Sequence, residues 1–160
     1  MKDVLPSPLR STPDTDLLDC RPVRDDTELA VHHRIRHAVF VTEQRLFTDD
    51  TDTHDADPAT IHVLGFVAGI PAGAVRLYRL DAGIWKGDRL AVLRDYRHAG
   101  LGGPLVHCAV RTAGELGGQR MLAQVQVPNV RFFEHLGWSR LGDPADYVGV
   151  PHQQMVIALR

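Results

Sequence analysis

A glycine-rich loop between an apolar strand and a helix is the feature that most constrains this chain of 160 residues. The loop reads R-D-Y-R-H-A-G-L-G-G, Arg94 to Gly103, and Pro104 follows at once. Its glycines let backbone N–H groups approach a ligand closely, because no Cβ atom stands in the way. Pro104 fits the first turn of a helix, whose start attracts anions through unpaired N–H groups and a partial positive charge. The stretch therefore predicts a strand, an anion-binding turn and a helix in direct succession.

Two common phosphate-binding loops do not match this stretch. A nucleoside-triphosphate loop has Lys and then Ser or Thr after its last glycine, whereas Pro104 stands there in this chain. The dinucleotide pattern G-x-G-x-x-G also fails, because Leu105 occupies the position of its third glycine. The pattern that remains is Arg97-x-x-Gly100-x-Gly102.

Strand and helix patterns alternate on both sides of the loop. Asp25 or Asp26 can cap a helix that runs to about Gln44, and the acidic residues 48–58 read as a solvated loop. Pro71 to Gly73 is predicted to be a turn between two strands. The predicted strands cover residues 18–23, 61–70, 74–80, 84–93, 121–127, 138–141 and 154–159, and two further helices cover residues 104–116 and 128–136. This order indicates an α+β or mixed α/β domain around one sheet, over residues 18–160, behind a loose tail of residues 1–17.

Composition excludes several classes of partner. The net charge of −2 gives no basic face for nucleic acid. No apolar run approaches the ~20 residues that span a bilayer, and the N-terminus lacks the apolar part of a secretory signal, so a cytoplasmic location is expected. Cys20 and Cys108 lack metal-type spacing and are expected to be free thiols, with a disulfide as the alternative. The nine histidines include no convincing ligand spacing, so no metal site is predicted.

The run R-L-A-V-L-R-D-Y-R-H-A-G-L-G, Arg89 to Gly102, resembles the coenzyme A signature of the GCN5-related N-acetyltransferases (GNAT). In that family a splayed strand leads into an R/Q-x-x-G-x-G/A turn that wraps the diphosphate of acetyl-CoA. N-V-R-F-F-E-H-L-G-W, Asn129 to Trp138, looks like the second acetyl-CoA motif of the family. The resemblance implies the GNAT fold, which is a central, mostly antiparallel sheet with splayed strands and helices on both faces. It also implies an acetyl-CoA co-substrate without a metal, and a homodimer is common in such proteins.

Two further stretches resemble one branch of that family. R-I-R-H-A-V-F-V-T-E-Q, Arg34 to Gln44, and V-P-H-Q-Q-M, Val150 to Met155, are similar to ElaA-like proteins and to an acetyltransferase group associated with nitrilase gene clusters. The first stretch is also similar to acyl-homoserine lactone synthases, which share the fold.

The resemblance implies direct transfer of an acetyl group from a thioester to an amine of a small molecule or peptide, within a ternary complex. The chain has no G-x-S-x-G nucleophile elbow, and Cys108 is expected to face the core of its helix. Two alternatives stay open: transfer of a longer acyl group, as in acyl-homoserine lactone synthesis, and a catalytically silent acyl-CoA-binding module.

The same resemblance assigns donor-binding residues. The backbone of Leu90, Ala91 and Val92 is expected to bond the pantetheine arm, and the Val92 N–H to polarise the thioester carbonyl. Asn129 is expected to bond the arm, or else to cap a helix. The diphosphate is assigned to the turn, namely Arg97, His98, Ala99, Gly100, Leu101, Gly102 and Gly103.

One position departs from the family pattern. Phe133 stands where many members have a tyrosine that protonates the departing thiolate. Either another group protonates the sulfur or the thiolate leaves unassisted, which a thiol pKa of ~8.5 permits near neutral pH.

An attacking amine must also lose a proton, so the site needs a base. Glu43, at the end of the first helix, and His152, just before the last strand, are the leading candidates. His62, Asp49 and Asp50 are the weaker ones.

Overall fold

A mixed eight-stranded sheet forms the centre of the computed structural model, which describes residues 17–160. The strands are β1 (Leu18–Pro22), β2 (Ile61–Val67), β3 (Ile70–Asp81), β4 (Ile84–Val92), β5 (Arg120–Gln126), β6 (Ser139–Arg140), β7 (Ala145–Tyr147) and β8 (Val150–Ala158). The α-helices are α1 (Asp26–Arg36), α2 (Gly102–Glu115) and α3 (Val130–His135). The predicted tail falls almost wholly outside the described residues. Between residues 17 and 160, no helix is long and apolar enough to cross a bilayer.

The sheet has the strand order β1-β2-β3-β4-β5-β8-β6, and β7 pairs with β8. Every pair is antiparallel except β4 with β5. The prediction of one mostly antiparallel sheet in a mixed α/β fold is confirmed. A parallel neighbour needs a crossover connection, and α2 supplies it between β4 and β5.

Helices on opposite faces of the sheet make two separate cores. On one face, α2 buries Leu105, Ala109 and Ala113 against strand residues such as Val63 and Leu77. On the other face, α1 and the segment after it pack against the sheet through three apolar residues, Ile35, Val39 and Phe40. A sheet covered on both faces presents its functional groups at strand ends and in gaps between strands.

The structure corrects the turn predicted at Pro71–Gly73. The chain turns instead at Ala68 and Gly69, whose φ angles are 51° and 81°, and residues 71–73 lie inside β3. Gly73 is small because a Cβ atom there would stand 2.8 Å from side-chain carbons of Leu101 and Leu105. Gly73, which suggested a turn, therefore leaves room for the start of α2 to pack against the sheet.

The first helix does not stay α-helical to Gln44 as predicted. Helix α1 is capped by the Asp25 side chain, which accepts from the Glu28 N–H, and it ends at Arg36. Residues His37–Glu43 then form a π-helix, in which the Gln44 N–H donates to the Val39 carbonyl at 2.9 Å. Such widened turns are rare and are frequently found at functional sites.

The end of the chain also differs from prediction. Three strands occupy it instead of two, because residues Ala145–Tyr147, predicted as loop, pair with β8. The last strand starts at Val150, four residues earlier than predicted.

Two aspartates of the acidic stretch 48–58 pair with buried arginines instead of facing solvent alone, in contrast to the prediction. Asp55 accepts two hydrogen bonds from the buried Arg36, each 2.8 Å long. Asp52 accepts from Arg76, which also binds both oxygens of Asp88. These contacts fix the acidic loop to β3 and β4.

His32 gives the fold a testable pH dependence. Burial lowers the pKa of His32 to about 3, and its Nε2 donates to the Val75 carbonyl at 3.1 Å. The unfolded chain therefore binds a proton that the folded chain excludes, so the stability contribution is complete above pH ~6.5 and falls as the pH drops toward 3. Between pH 6.5 and 4.5, urea unfolding should show a loss of about 2 to 3 kcal/mol from this group. His32→Gln keeps a donor for Val75 and should flatten the decline, whereas an unchanged slope would contradict the assignment.

Candidate active site

The gap between β4 and β5 is the centre of the site. The two strands pair only from Ile84 with Arg120 to Lys86 with Leu122. Beyond that point β4 stays paired to β3, and β5 stays paired to β8 as far as His152. Among the described residues, the facing edges of β4 and β5 are thus left without strand partners. Unpaired backbone groups along such an edge can bond an extended ligand.

A bulge shapes the β4 side of this gap. Ala91 pairs with Ala74 and Asp88 pairs with Arg76, so Arg89 and Leu90 together lie opposite the single residue between those two on β3. Arg89 has a φ of 55°, which is uncommon for a residue with a side chain. The guanidinium of Arg89 lies 4.0 Å from the ring centroid of Phe47. Bulges next to active sites re-aim strand groups, and this one turns β4 at the gap.

The orientation of Val92 follows from its neighbours. The Leu93 N–H donates to the Ala72 carbonyl on the β3 side. Because N–H groups alternate along a strand, the Val92 N–H points away from β3, toward the open edge. The Val92 carbonyl points the same way and accepts from Arg97 Nε at 3.0 Å.

A cleft with an empty volume of about 830 Å³, including its open mouth, occupies the gap. Its walls are largely apolar and come from β3, β4, β5, β7, β8, α2 and α3 and from the segment after α1. The polar groups in its lining belong to Lys86, Asp88, Arg89, Gln124, Gln126, Asn129, Tyr147 and His152. A mostly apolar cleft with a few polar groups is typical of a small-molecule site.

The glycine loop lies after β4 and carries an uncapped helix start. Residues Arg94–Ala99 form a 3-10 helix, and Gly100 ends it in the left-handed conformation, with φ 80°. Leu101 is fully buried, so it anchors the loop to the core. In the described chain, no side chain caps the start of α2 at Leu101, and its third residue, Pro104, has no N–H. The first turn of α2 therefore offers backbone donors to an anion.

Arg97 is held by Glu43. Two hydrogen bonds of 2.7 and 2.6 Å join the guanidinium to both carboxylate oxygens, and Arg94 lies 3.4 Å from the same carboxylate. The hydrogen bonds from Arg97 lower the pKa of Glu43. A carboxylate held this way is a weaker proton acceptor, and Glu43 does not line the cleft.

His152 lies in the cleft wall and is 4% exposed. Its Nδ1 is 2.8 Å from the Val150 carbonyl, which can only accept, so Nδ1 carries the hydrogen. In the neutral ring, Nε2 then holds a lone pair that can take a proton. The ring also contacts Tyr147 edge to face, with centroids 5.1 Å apart.

Phe133 and Asn129 both line the cleft. Phe133 packs edge to face against Trp138, with centroids 5.4 Å apart, and it is nearly buried. Asn129 directly precedes α3, at the N-cap position, but in the described chain its side chain makes no capping hydrogen bond. The alternative of a helix cap for Asn129 therefore has no support from the geometry.

The weaker base candidates lie outside the cleft lining. Asp49 is exposed, Asp50 lies 3.4 Å from His37, and His62 is 2.9 Å from an oxygen of Asp55. None of these groups is placed to meet an amine in the cleft.

The fold brings together three possible metal ligands that the sequence spacing did not indicate. One ligand atom each from His33, Asp55 and His62 lies within 4.8 Å of the others. Arg36 donates to both Asp55 oxygens, and Arg76 Nη1 lies 3.2 Å from one of them. A carboxylate already bound by two guanidinium groups belongs to an ion-pair network.

Cys20 and Cys108 are free thiols, in agreement with the sequence. Cys108 is buried, and burial raises the pKa of its thiol. A buried thiol with a raised pKa is a poor nucleophile.

Sequence reasoning missed Lys86, Arg89 and Tyr147 as cleft residues. Lys86 and Arg89 lie in a strand that was predicted. Their place in the cleft follows from the end of pairing between β4 and β5 at Lys86. Tyr147 lies in a three-residue strand too short to give a pattern. No local signal in the sequence marks them.

Comparison with known proteins identifies the family of this chain. Residues 26–138, more than half of the chain, match the Acetyltransferase (GNAT) family. The uncharacterized N-acetyltransferase YjcF of Bacillus subtilis is 26% identical over 134 residues, which cover 83% of this chain and 94% of that protein. The crystal structure of Escherichia coli ElaA is similar with a TM-score of 0.77 at 20% identity, over 87% of this chain and 98% of that chain.

A third similar structure is the CoA-dependent acyl-homoserine lactone synthase BjaI, solved with SAM and isopentyl-CoA. Its TM-score is 0.70 at 21% identity, over 83% of this chain and 77% of that chain. The family match, the relatives and the shared fold lead to one conclusion: the chain belongs to the GNAT family and is an acyltransferase enzyme.

Proposed function

We propose that this enzyme transfers the acetyl group of acetyl-CoA directly to an amine of a small molecule or peptide, within a ternary complex. The observation that carries the proposal is the open gap between β4 and β5, with the uncapped start of α2 following β4. The gap offers unpaired strand edges to an extended arm, and the helix start offers donors to an anion. Holding both reactants in one cleft supplies proximity.

The donor site uses the end of β4 and the glycine loop. The backbone of Leu90, Ala91 and Val92 bonds the pantetheine arm, and the Val92 N–H stabilises the oxyanion at the thioester carbonyl. Support comes from the direction of that N–H, toward the open edge. Asn129 bonds the arm from the opposite wall. The diphosphate is held by the turn, which comprises Arg97, His98, Ala99, Gly100, Leu101, Gly102 and Gly103.

Gly100→Ala should weaken CoA binding about tenfold or more. Position 100 has φ 80°, so the new methyl group strains the backbone by roughly 1 kcal/mol, and it also enters the open space above the loop. Gly117→Ala is the matched control, because its φ is 87°, its Cβ would also meet open space, and it follows the other end of α2. Calorimetric titration with CoA should show weaker binding only for Gly100→Ala. Equal affinity of the two variants would contradict the diphosphate assignment.

His152 is the base that removes the proton from the amine. Its Nε2 has a free lone pair in the neutral ring, and it lies in the cleft wall. Glu43 acts through Arg97, whose guanidinium it orients beside the glycine loop.

Departure of the thiolate needs no tyrosine at position 133. The Phe133 ring closes the cleft together with Trp138 and keeps water away from the thioester. A thiol pKa of ~8.5 lets the thiolate leave near neutral pH. The raised pKa of the buried Cys108 supports direct transfer over a covalent intermediate.

A longer acyl donor is the second candidate. The observation in its favour is the apolar cleft wall, which includes Val75, Val106, Ala109 and Met121 behind the strand edges. The similar structure BjaI contains isopentyl-CoA. Both donors use the same loop, so only the acyl group separates the two candidates.

One assay tests the function and separates these candidates. Thiol release is measured with acetyl-CoA, isopentyl-CoA and octanoyl-CoA across a broad panel of amines. Turnover with acetyl-CoA supports the proposal, and turnover with longer donors alone supports the second candidate. Absence of both turnover and thermal stabilisation by CoA would overturn the proposed function.

A further inference from the structure

Among residues 17–160, the charges next to the cleft are balanced apart from one. A network that is buried except at Asp52 joins three arginines to three aspartates through contacts of 2.6 to 3.6 Å. Its members are Arg36, Arg76, Arg89, Asp52, Asp55 and Asp88. Each guanidinium has at least one carboxylate partner, so the network presents no net charge to the cleft.

Lys86 is the cation of the cleft that this network does not neutralise. Its side chain lines the cleft and is half-buried, and it forms no ion pair with any residue from 17 to 160. Its one described charge contact is with the ring of Tyr147, whose centroid lies 5.8 Å from Nζ. An ammonium group withdrawn from water is stabilised most by an anion, so this part of the cleft is suited to a negatively charged group.

The position of Lys86 assigns that anion to the acceptor. Lys86 is the last β4 residue paired with β5, whereas the glycine loop follows the other end of β4. Val92 lies six positions after Lys86 along the strand, or roughly 20 Å away. In the proposed function the donor diphosphate occupies the loop end, so a group bound at Lys86 belongs to the other substrate.

The surroundings of Lys86 match a single negative charge. Tyr147 and Gln124 line the same cleft and offer neutral hydrogen-bonding groups, while the neighbouring arginines are bound by aspartates. Tyr147 also contacts His152, so the unpaired ammonium and the proposed base lie next to the same aromatic ring. We infer that the acceptor is an amine that also carries a carboxylate, which Lys86 binds while the amine faces His152. This inference rests on the proposed function.

Product binding tests the inference without relying on turnover. The CoA-loaded protein is titrated with a set of N-acetyl amino acids and with the corresponding N-acetyl amino acid amides. The acids should bind about ten- to a hundredfold more tightly than their amides, as expected for a hydrogen-bonded ion pair. Lys86→Met should bring the ratio of acid to amide affinity close to one. Lys86→Glu should bind N-acetyl diamines more tightly than N-acetyl amino acids. Arg79→Met removes an exposed cation from the neighbouring strand and should keep the preference for acids.

The outcomes separate failure of the carboxylate inference from failure of the proposed function. An acid-to-amide ratio near one in the wild-type protein, or a ratio that Lys86→Met leaves unchanged, overturns the carboxylate inference alone. Failure to bind CoA, together with absence of thiol release from every acyl-CoA, overturns the proposed function. Acid preference that is lost in Lys86→Met and retained in Arg79→Met supports the inference.

Discussion

Arg76→Met should lower the free energy of unfolding by about 3 to 5 kcal/mol. Arg76 is fully buried and donates to Asp52 and Asp88 at 2.6 to 3.0 Å. Burial alone would lower the pKa of Arg76, but the two carboxylates outweigh burial and raise it. Methionine fills the space of the side chain without its charge, and therefore leaves the carboxylates without their cation. Urea unfolding at pH 7 measures the loss.

Two controls make the Arg76 result specific. Arg140→Met removes an exposed ion pair with Glu134, with side chains 57% and 40% exposed, and should hardly move the unfolding midpoint. Adding Asp88→Asn to Arg76→Met should recover part of the lost stability, because it removes one of the stranded charges. If Arg76→Met cost no more than Arg140→Met, the buried network would not hold the acidic loop to the sheet.

His152→Asn should reduce kcat by about 10²- to 10⁴-fold, the range for removal of a general base. The asparagine amide can still donate to the Val150 carbonyl, so the geometry of the cleft wall is preserved, but it cannot take a proton at neutral pH. Steady-state thiol release with saturating acetyl-CoA gives kcat, and a titration with CoA checks that donor binding is intact. Donor binding should be unchanged in this variant, so that the loss is confined to the chemical step.

Glu43→Gln is the comparison that separates the two base candidates. Because Glu43 binds Arg97 through both oxygens, its loss should raise the Kd of CoA and lower kcat far less than His152→Asn does. A large loss of kcat in Glu43→Gln, with a normal kcat in His152→Asn, would reverse the two roles.

Much of the fold could be predicted because its signals are local. The strand, glycine turn and helix start from Arg89 to Pro104 form one continuous stretch, and the bounds of β4 and α2 fall within two residues of expectation. Asp25 caps α1 as its residue type and position indicated. The turn at Ala68–Gly69 was misplaced because Gly73, three residues after Ile70, gives the same local signal for a different reason.

The site was less predictable because its groups meet across long separations. The contact of Arg97 with Glu43 joins residues 54 apart, and the contact of Arg89 with Asp52 joins residues 37 apart. Neither pair has a spacing that a helix or strand period would reveal. Arg36 and Asp55 are likewise brought together only because the acidic loop folds back onto α1.

The π-helix after α1 sets the rotational register of the residues that come after it. One residue fewer in His37–Glu43 would restore ordinary helical winding and turn every later residue of the segment by about 100°. Glu43 would then point away from Arg97, and the widened turn that places Phe40 on the sheet would be lost. The length of the segment therefore fixes the orientation of Glu43 toward Arg97. Single-residue deletions there are expected to impair folding as well as function, because Val39 and Phe40 of the segment belong to the second core.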